Sequence, residues 1–222
     1  MIEGDPKPPG VVGGADATGF TRRSELARTQ SERYPEIREN ILKQAARLFA
    51  EQGYAGTTII DLADACESSR GALYHYFGSK EDILFHILDE HVRNLFQQIQ
   101  AAVQSKKDPL EQCRAVIETM VTINADSQHE QVVLLNELGE LSEEQQRGIV
   151  AVQRQMTETV SDILIRIDSQ QRLTTRTKKV YAMMLFGIIN YTFAWYDPKG
   201  PVSPEEYAEM TSDLFIRGFT GR

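Results

Sequence analysis

The segment from Thr57 to Leu84, TTIIDLADACESSRGALYHYFGSKEDIL, constrains what this chain can fold into more than any other stretch. Thr58 with Asp61 three positions on has the spacing of a capping box, and Ile59, Leu62 and Ala63 give the helix that follows an apolar side. The apolar pattern stops at Cys66-Glu67-Ser68. Ser69 then caps a second short helix, whose Gly71 and Ala72 are too small to hold another surface away. Two short helices around a tight turn read as a helix-turn-helix, in which the second helix enters a DNA major groove and the first lies across the backbone. Arg70, just after the Ser69 cap, is the side chain best suited to a base edge, because its guanidinium fork matches the O6 and N7 acceptors of guanine.

The segment resembles the TetR-type bacterial transcriptional repressors. The residues that carry the likeness are Ile41-Leu42, Ala45-Ala46, Leu48-Phe49, Gly53, Thr57-Thr58, Leu62-Ala63, Ala65, Ser69, Gly71 to Phe77 (GALYHYF) and Lys80-Glu81. The resemblance implies that Thr58, Tyr74, His75 and Lys80 contact phosphates, that Gly71 permits close approach, and that Ser69, Arg70 and Ala72 belong to the same DNA-binding set. Phosphate contacts fix register without reading sequence. Two positions depart from the pattern. The turn usually carries a glycine and then an apolar residue, where this chain has Glu67 and Ser68, so strain is expected there.

A net charge of −8 at first argues against a nucleic-acid binder. It is unevenly spread: residues 1–33 carry five basic and five acidic groups, 34–80 five and six, and 81–222 fourteen and twenty-one. The acidity sits in the C-terminal body, and the reader must rely on a few placed contacts, doubled by dimerisation. Residues 1–33 read as a disordered tail whose end, with Arg22, Arg23, Arg28 and Arg33, is either a solvated leader or an arm suited to a minor groove. Residues 34–80 read as the three-helix reader and 81–222 as a helical ligand-binding and dimerisation domain, an all-α chain. Cys66 and Cys113 lie far apart without CxxC spacing, and no signal peptide or membrane-length apolar run is present, which fits the cytoplasm.

Helical periodicity recurs from Pro35 to Gly53 and again from Ser79 to about Val103. Further helices read at about 109–125, 129–140, 143–168, 175–196 and 204–219, with starts at Asp108-Pro109, Ser142 and Ser203-Pro204. The run Ala182 to Trp195 reads as a buried helix. With the face Tyr207, Met210, Leu214, Phe215 and Phe219 it would build a four-helix homodimer interface, as in the family. The stretch Asn190 to Glu206 resembles a TetR subgroup responsive to acyl-CoA thioesters from lipid, steroid or aromatic-acid breakdown. On that resemblance Arg147 and Arg154, seven residues apart on one helix face, would meet ligand phosphates, and Asn190 and Trp195 would line the acyl or pantetheine path.

Enzyme readings find no support. His75, His86, His91 and His129 include no i, i+4 pair for zinc, and no GxSxG, P-loop or dinucleotide fingerprint occurs, so neither catalytic nor metal residues, nor a cofactor, are expected. The expectation is a homodimeric repressor on a near-palindromic double-stranded operator, with no membrane partner, released by a small-molecule effector, an acyl-CoA thioester. Three rivals remain: a TetR-type repressor of an efflux or stress operon induced by another hydrophobic molecule, a helical small-molecule-binding protein with a vestigial reader, and an architectural DNA binder.

Overall fold

The computed structural model describes residues 17–168 and 171–220, with side chains placed for 33–168 and 171–218. Among the described residues the chain forms helices and no strand: α1 Ala17–Gln52, α2 Ile59–Ala65, α3 Arg70–Tyr76, α4 Lys80–Gln104, α5 Pro109–Asp126, α6 Gln128–Glu137, α7 Glu143–Ile167, α8 Lys178–Asn190 and α9 Pro204–Thr220. Short 3-10 turns, Leu138–Glu140 and Tyr191–Ala194, follow α6 and α8. The all-α expectation is met.

The chain divides between Glu39 and Asn40 into two units. The first contains the opening of α1, which starts at Ala17 and not at Pro35; residues 17–33, read as tail and arm, are helical, and residues 1–16 lie outside the described part. Pro35 sits inside this helix without an N–H to donate to the preceding turn.

The second unit holds everything from Asn40 on, so reader and body are not separate there. Ile41, Ala45, Leu48 and Phe49 of α1 are buried together with Leu62, Leu73, Phe77 and Leu84, as the three- and four-residue spacing requires. The helix starts are built as the sequence implies. Thr58 Oγ1 accepts from Asp61 N–H while the Asp61 carboxylate accepts from Thr58 N–H, and Ser69, Ser79 and Asp108 each accept from the first turn of α3, α4 and α5.

Helix α8 is shorter than read. It ends at Asn190, and only Ala182, Leu185, Phe186 and Ile189 of it are buried. Val180, Met183, Met184 and Ile188 are exposed in the single chain, so the expectation of a wholly buried helix is corrected to a helix with one unpartnered apolar side.

The turn between α2 and α3 carries the strain expected of a missing glycine. Glu67 has φ 48°, and the turn is closed by Ser68 N–H donating to Ala63 O at 2.9 Å. A side chain in the left-handed region is held there at a cost of ~1–3 kcal/mol, offset in a glycine by its greater freedom when unfolded. Glu67→Gly is therefore expected to stabilise the protein by about 0.5–1 kcal/mol against urea. A loss of stability would show that the Glu67 side chain contributes what its backbone strain takes away.

Candidate functional site

On α3 the buried side is Leu73, followed by Phe77, and the opposite side presents Arg70, Gly71, Tyr74 and His75. All four are exposed, Tyr74 by 53%. A β-carbon on Gly71 would meet nothing closer than Ser69 Oγ at 3.9 Å, so the protein itself has no need of a glycine there. Its smallness matters to whatever approaches from outside. Ser69 Oγ is occupied by Ala72 N–H at 3.1 Å, and Ala72 is half-buried at the rim of this face. Thr58 is exposed at the start of α2, its hydroxyl donating to Asp61 Oδ2 at 2.7 Å, and that bond holds the Asp61 carboxyl below its ordinary pKa. Seven of the residues expected to meet DNA thus lie on two neighbouring, capped helix starts and the face of α3.

Lys80 is placed differently. Its ammonium donates to Tyr54 O and Thr57 O, both at 2.8 Å, and sits 4.1 Å from the centre of the Tyr54 ring. Besides the phosphate contact implied by resemblance, it has an internal role: it fixes the loop that leads into α2. The same loop is held from the other side by Glu137, at the end of α6, whose Oε1 accepts from Tyr54 N–H at 3.2 Å. Nothing in the sequence marked Glu137, since the partner lies 83 positions away.

The body contains a cavity of about 480 Å3. Its floor is apolar, formed by Leu95, Met120, Leu134, Met156 and Phe186, and its rim includes exposed Leu135, Arg154, Lys179 and Met183. Asn190 and Arg154 both line it. Arg147 does not: it lies in an adjoining groove with Glu143, Gln146, Val150 and Arg154, and pairs with Glu143 at 3.3 Å. Trp195 is also outside. The row facing the cavity along α8 is Lys179, Met183, Phe186 and Asn190; the helix then gives way to the 3-10 turn, which carries Trp195 onto Tyr196 and Tyr207 with 60% of its surface exposed.

Lys179 and Gln131 were not singled out in the sequence. Lys179 sits on the helical row of Asn190 but reads as one of two lysines opening a helix; Gln131 is recognisable only through its bond to buried His91 at 3.1 Å. Burial pushes the pKa of His91 down against the opposing effect of that bond, so the ring is neutral and Nε2 donates to Gln131 Oε1. Among the described residues no carboxylate is within ion-pairing distance of Arg154 or Lys179, and none lines the cavity.

The exposed apolar side chains of α8, Val180, Met184 and Ile188, are followed along the chain by exposed Tyr191 and Trp195, and α9 exposes Met210 and Leu214. The start of α9 meets the end of α8 through Tyr207, whose Oη donates to Ile188 O at 3.2 Å. Phe215 departs from its expected place beside Met210 and Leu214; it is half-buried against the core, and the Phe219 side chain is outside those described.

Among the described residues no group of three or more histidines, cysteines or acids could hold a metal ion. No helix there is long and apolar enough to cross a membrane. Burial pushes the Cys113 thiol up to about 12 and raises that of Cys66, which removes both as nucleophiles.

A capped helix-turn-helix with its outer face open, carried on a helical body with a ligand-sized cavity, is the arrangement of a helix-turn-helix transcriptional regulator. Residues 41–87 match the family described as bacterial regulatory proteins, tetR family, and residues 106–219 match the tetracyclin repressor-like C-terminal domain. The chain belongs to the TetR family. It is 37% identical to a TetR-family transcriptional regulator from Bordetella parapertussis, whose crystal structure superposes with a TM-score of 0.77 over 81% of this chain and 93% of that one. The HTH-type transcriptional repressor KstR2 of Mycolicibacterium smegmatis is 29% identical over 82% of this chain and 90% of its own length. AibR, solved with isovaleryl coenzyme A and operator DNA, is 25% identical, with a TM-score of 0.70 over 80% of this chain and 97% of its own.

Proposed function

We propose that this protein is a homodimeric repressor that holds a near-palindromic operator through Arg70 and the surrounding face of α3, and releases it when an acyl-CoA thioester occupies the body cavity. The observation that carries the ligand class is the cavity itself: an apolar floor with Arg154 and Lys179 on its rim and, among the described residues, no carboxylate in its lining, on a chain of net charge −8. An apolar tail attached to an anion suits it. A volume of about 480 Å3 holds an acyl group and part of the pantetheine arm, and the adjoining groove with Arg147 and Arg154 suits phosphates. AibR, a relative of the same fold, was crystallised with such a thioester.

Release needs a ligand that prefers one arrangement of the body, and a physical route from cavity to reader. Helix α6 supplies both ends of that route. Gln131, Leu134 and Leu135 line the cavity, and Glu137 at the end of the same helix holds the Tyr54 peptide ahead of α2. A ligand that displaces α6 loosens this hold and frees the reader to turn.

Arg154→Glu tests the ligand class. Losing one charge-assisted contact, ~1.5–3 kcal/mol, and adding repulsion should raise the isovaleryl-CoA or octanoyl-CoA concentration needed for release at least about tenfold, with operator affinity unchanged. Release by free fatty acids or hydrophobic cations, indifferent to this substitution, would instead support a repressor induced by another hydrophobic molecule.

A further inference from the structure

Within the second unit, one buried side-chain polar atom lacks a hydrogen-bond partner among the described residues: Asn124 Oδ1, on a side chain only 3% exposed. Asn124 lies immediately behind the cavity wall. Its Nδ2 donates to Asn190 Oδ1 at 3.2 Å, Asn190 lines the cavity, and Met120, one turn earlier on α5, forms part of the floor. Asn190 Nδ2 in turn has no partner among the described residues. The pair therefore offers one buried unmet acceptor, Asn124 Oδ1, and, on the half-buried Asn190, one donor left open to the cavity. Buried amides are ordinarily satisfied, and a leftover one weakens the folded state unless something completes it.

We propose that the Asn124–Asn190 pair is a reading point for a hydroxyl group on the inducer. This rests on the thioester reading only for the source of that hydroxyl. A hydroxyl accepts from Asn190 Nδ2 and donates to Asn124 Oδ1 after a small shift of Asn190; a carbonyl meets only the first, and a hydrocarbon neither. The choice does not depend on how the two amides are turned, since a group that is donor and acceptor at once completes the pair either way. In a thioester the hydroxyl has two sources, the acyl chain or the pantoyl part of the arm.

The test measures direct binding to the full-length protein by calorimetry, with 3-hydroxyoctanoyl-CoA, octanoyl-CoA and the two corresponding free acids as probes. Variants Asn124→Leu and Asn190→Ala are compared with the native chain. If the acyl chain supplies the hydroxyl, the native protein binds the hydroxyacyl thioester about tenfold to a hundredfold more tightly than octanoyl-CoA, and Asn124→Leu removes that difference. If the pantoyl arm supplies it, both thioesters weaken in the variants by a similar factor. A hydroxyl preference seen only between the free acids keeps the reading point and rejects the thioester. The ligand-free melting temperature separates function from scaffolding. Asn124→Leu removes a buried unsatisfied atom and gives up one bond to Asn190 Oδ1, on a half-buried side chain, so it should melt at or above the native temperature, where a structural asparagine would give a lower one. Variants that bind every probe as the native chain does, a native chain that binds none, or a destabilised Asn124→Leu with unchanged probe selectivity in Asn190→Ala overturns the proposal.

Discussion

Leu214→Arg is expected to turn the protein into monomers that keep their helical content and melting behaviour yet bind operator at least a hundredfold more weakly. Leu214 is 71% exposed in the single chain, so an arginine there breaks no packing within it. Met210 on the same helix and Met184, Ile188 and Trp195 on and after α8 are exposed apolar side chains as well, and exposed apolar groups in such number mark an interface. In a two-fold dimer each substitution occurs twice, and burying an unpaired charge costs several kcal/mol, enough to dissociate a helical interface. A monomer then engages one half-site. Phe215→Arg is the contrasting variant: Phe215 packs against the core, and a charge there should unfold the chain and not merely separate two copies. Light scattering with operator titration checks both. A Leu214→Arg dimer with native affinity would place the interface elsewhere.

Arg70→Ala is expected to weaken operator binding by about 1–3 kcal/mol per half-site, hence about 2–6 kcal/mol for the dimer, and to relax the preference at one base position in each half. Arg70 stands exposed at the start of α3 behind the Ser69 cap, where a recognition helix meets base edges. The measurement is affinity for operator and for random DNA at one salt concentration. Equal losses on both would show that Arg70 touches only phosphate.

The reader was legible in the sequence because its information is local. Caps at Thr58 and Ser69, the small pair Gly71-Ala72 and the apolar positions Leu62, Leu73 and Phe77 all act within a few residues of one another. The misplaced residues are those whose position depends on distant partners. Lys80 was assigned a phosphate contact by resemblance, and its bonds to the carbonyls of Tyr54 and Thr57, more than twenty positions away, were not legible. Trp195 shared an apolar run with Asn190, and no periodicity revealed that the helix would end between them. Arg147 and Arg154 do follow the helical spacing; whether each reaches the cavity depends on how α7 packs, which spacing alone does not fix. The Asn124–Asn190 pair, 66 positions apart, was invisible for the same reason.

The central claim, a reader whose hold on DNA is broken by an anionic, apolar-tailed ligand in the body, is tested most directly by selecting operator from random DNA and titrating the labelled complex. The titrants are isovaleryl-CoA, octanoyl-CoA, 3-hydroxyoctanoyl-CoA, coenzyme A alone and the free acids. The expected result is selection of a near-palindrome with half-sites about one helical turn, ~34–36 Å, apart, and its release by at least one thioester at micromolar concentration, an affinity of about 8 kcal/mol, but not by coenzyme A or free acids. Failure to select any sequence, or a selected complex that no thioester shifts, would contradict it.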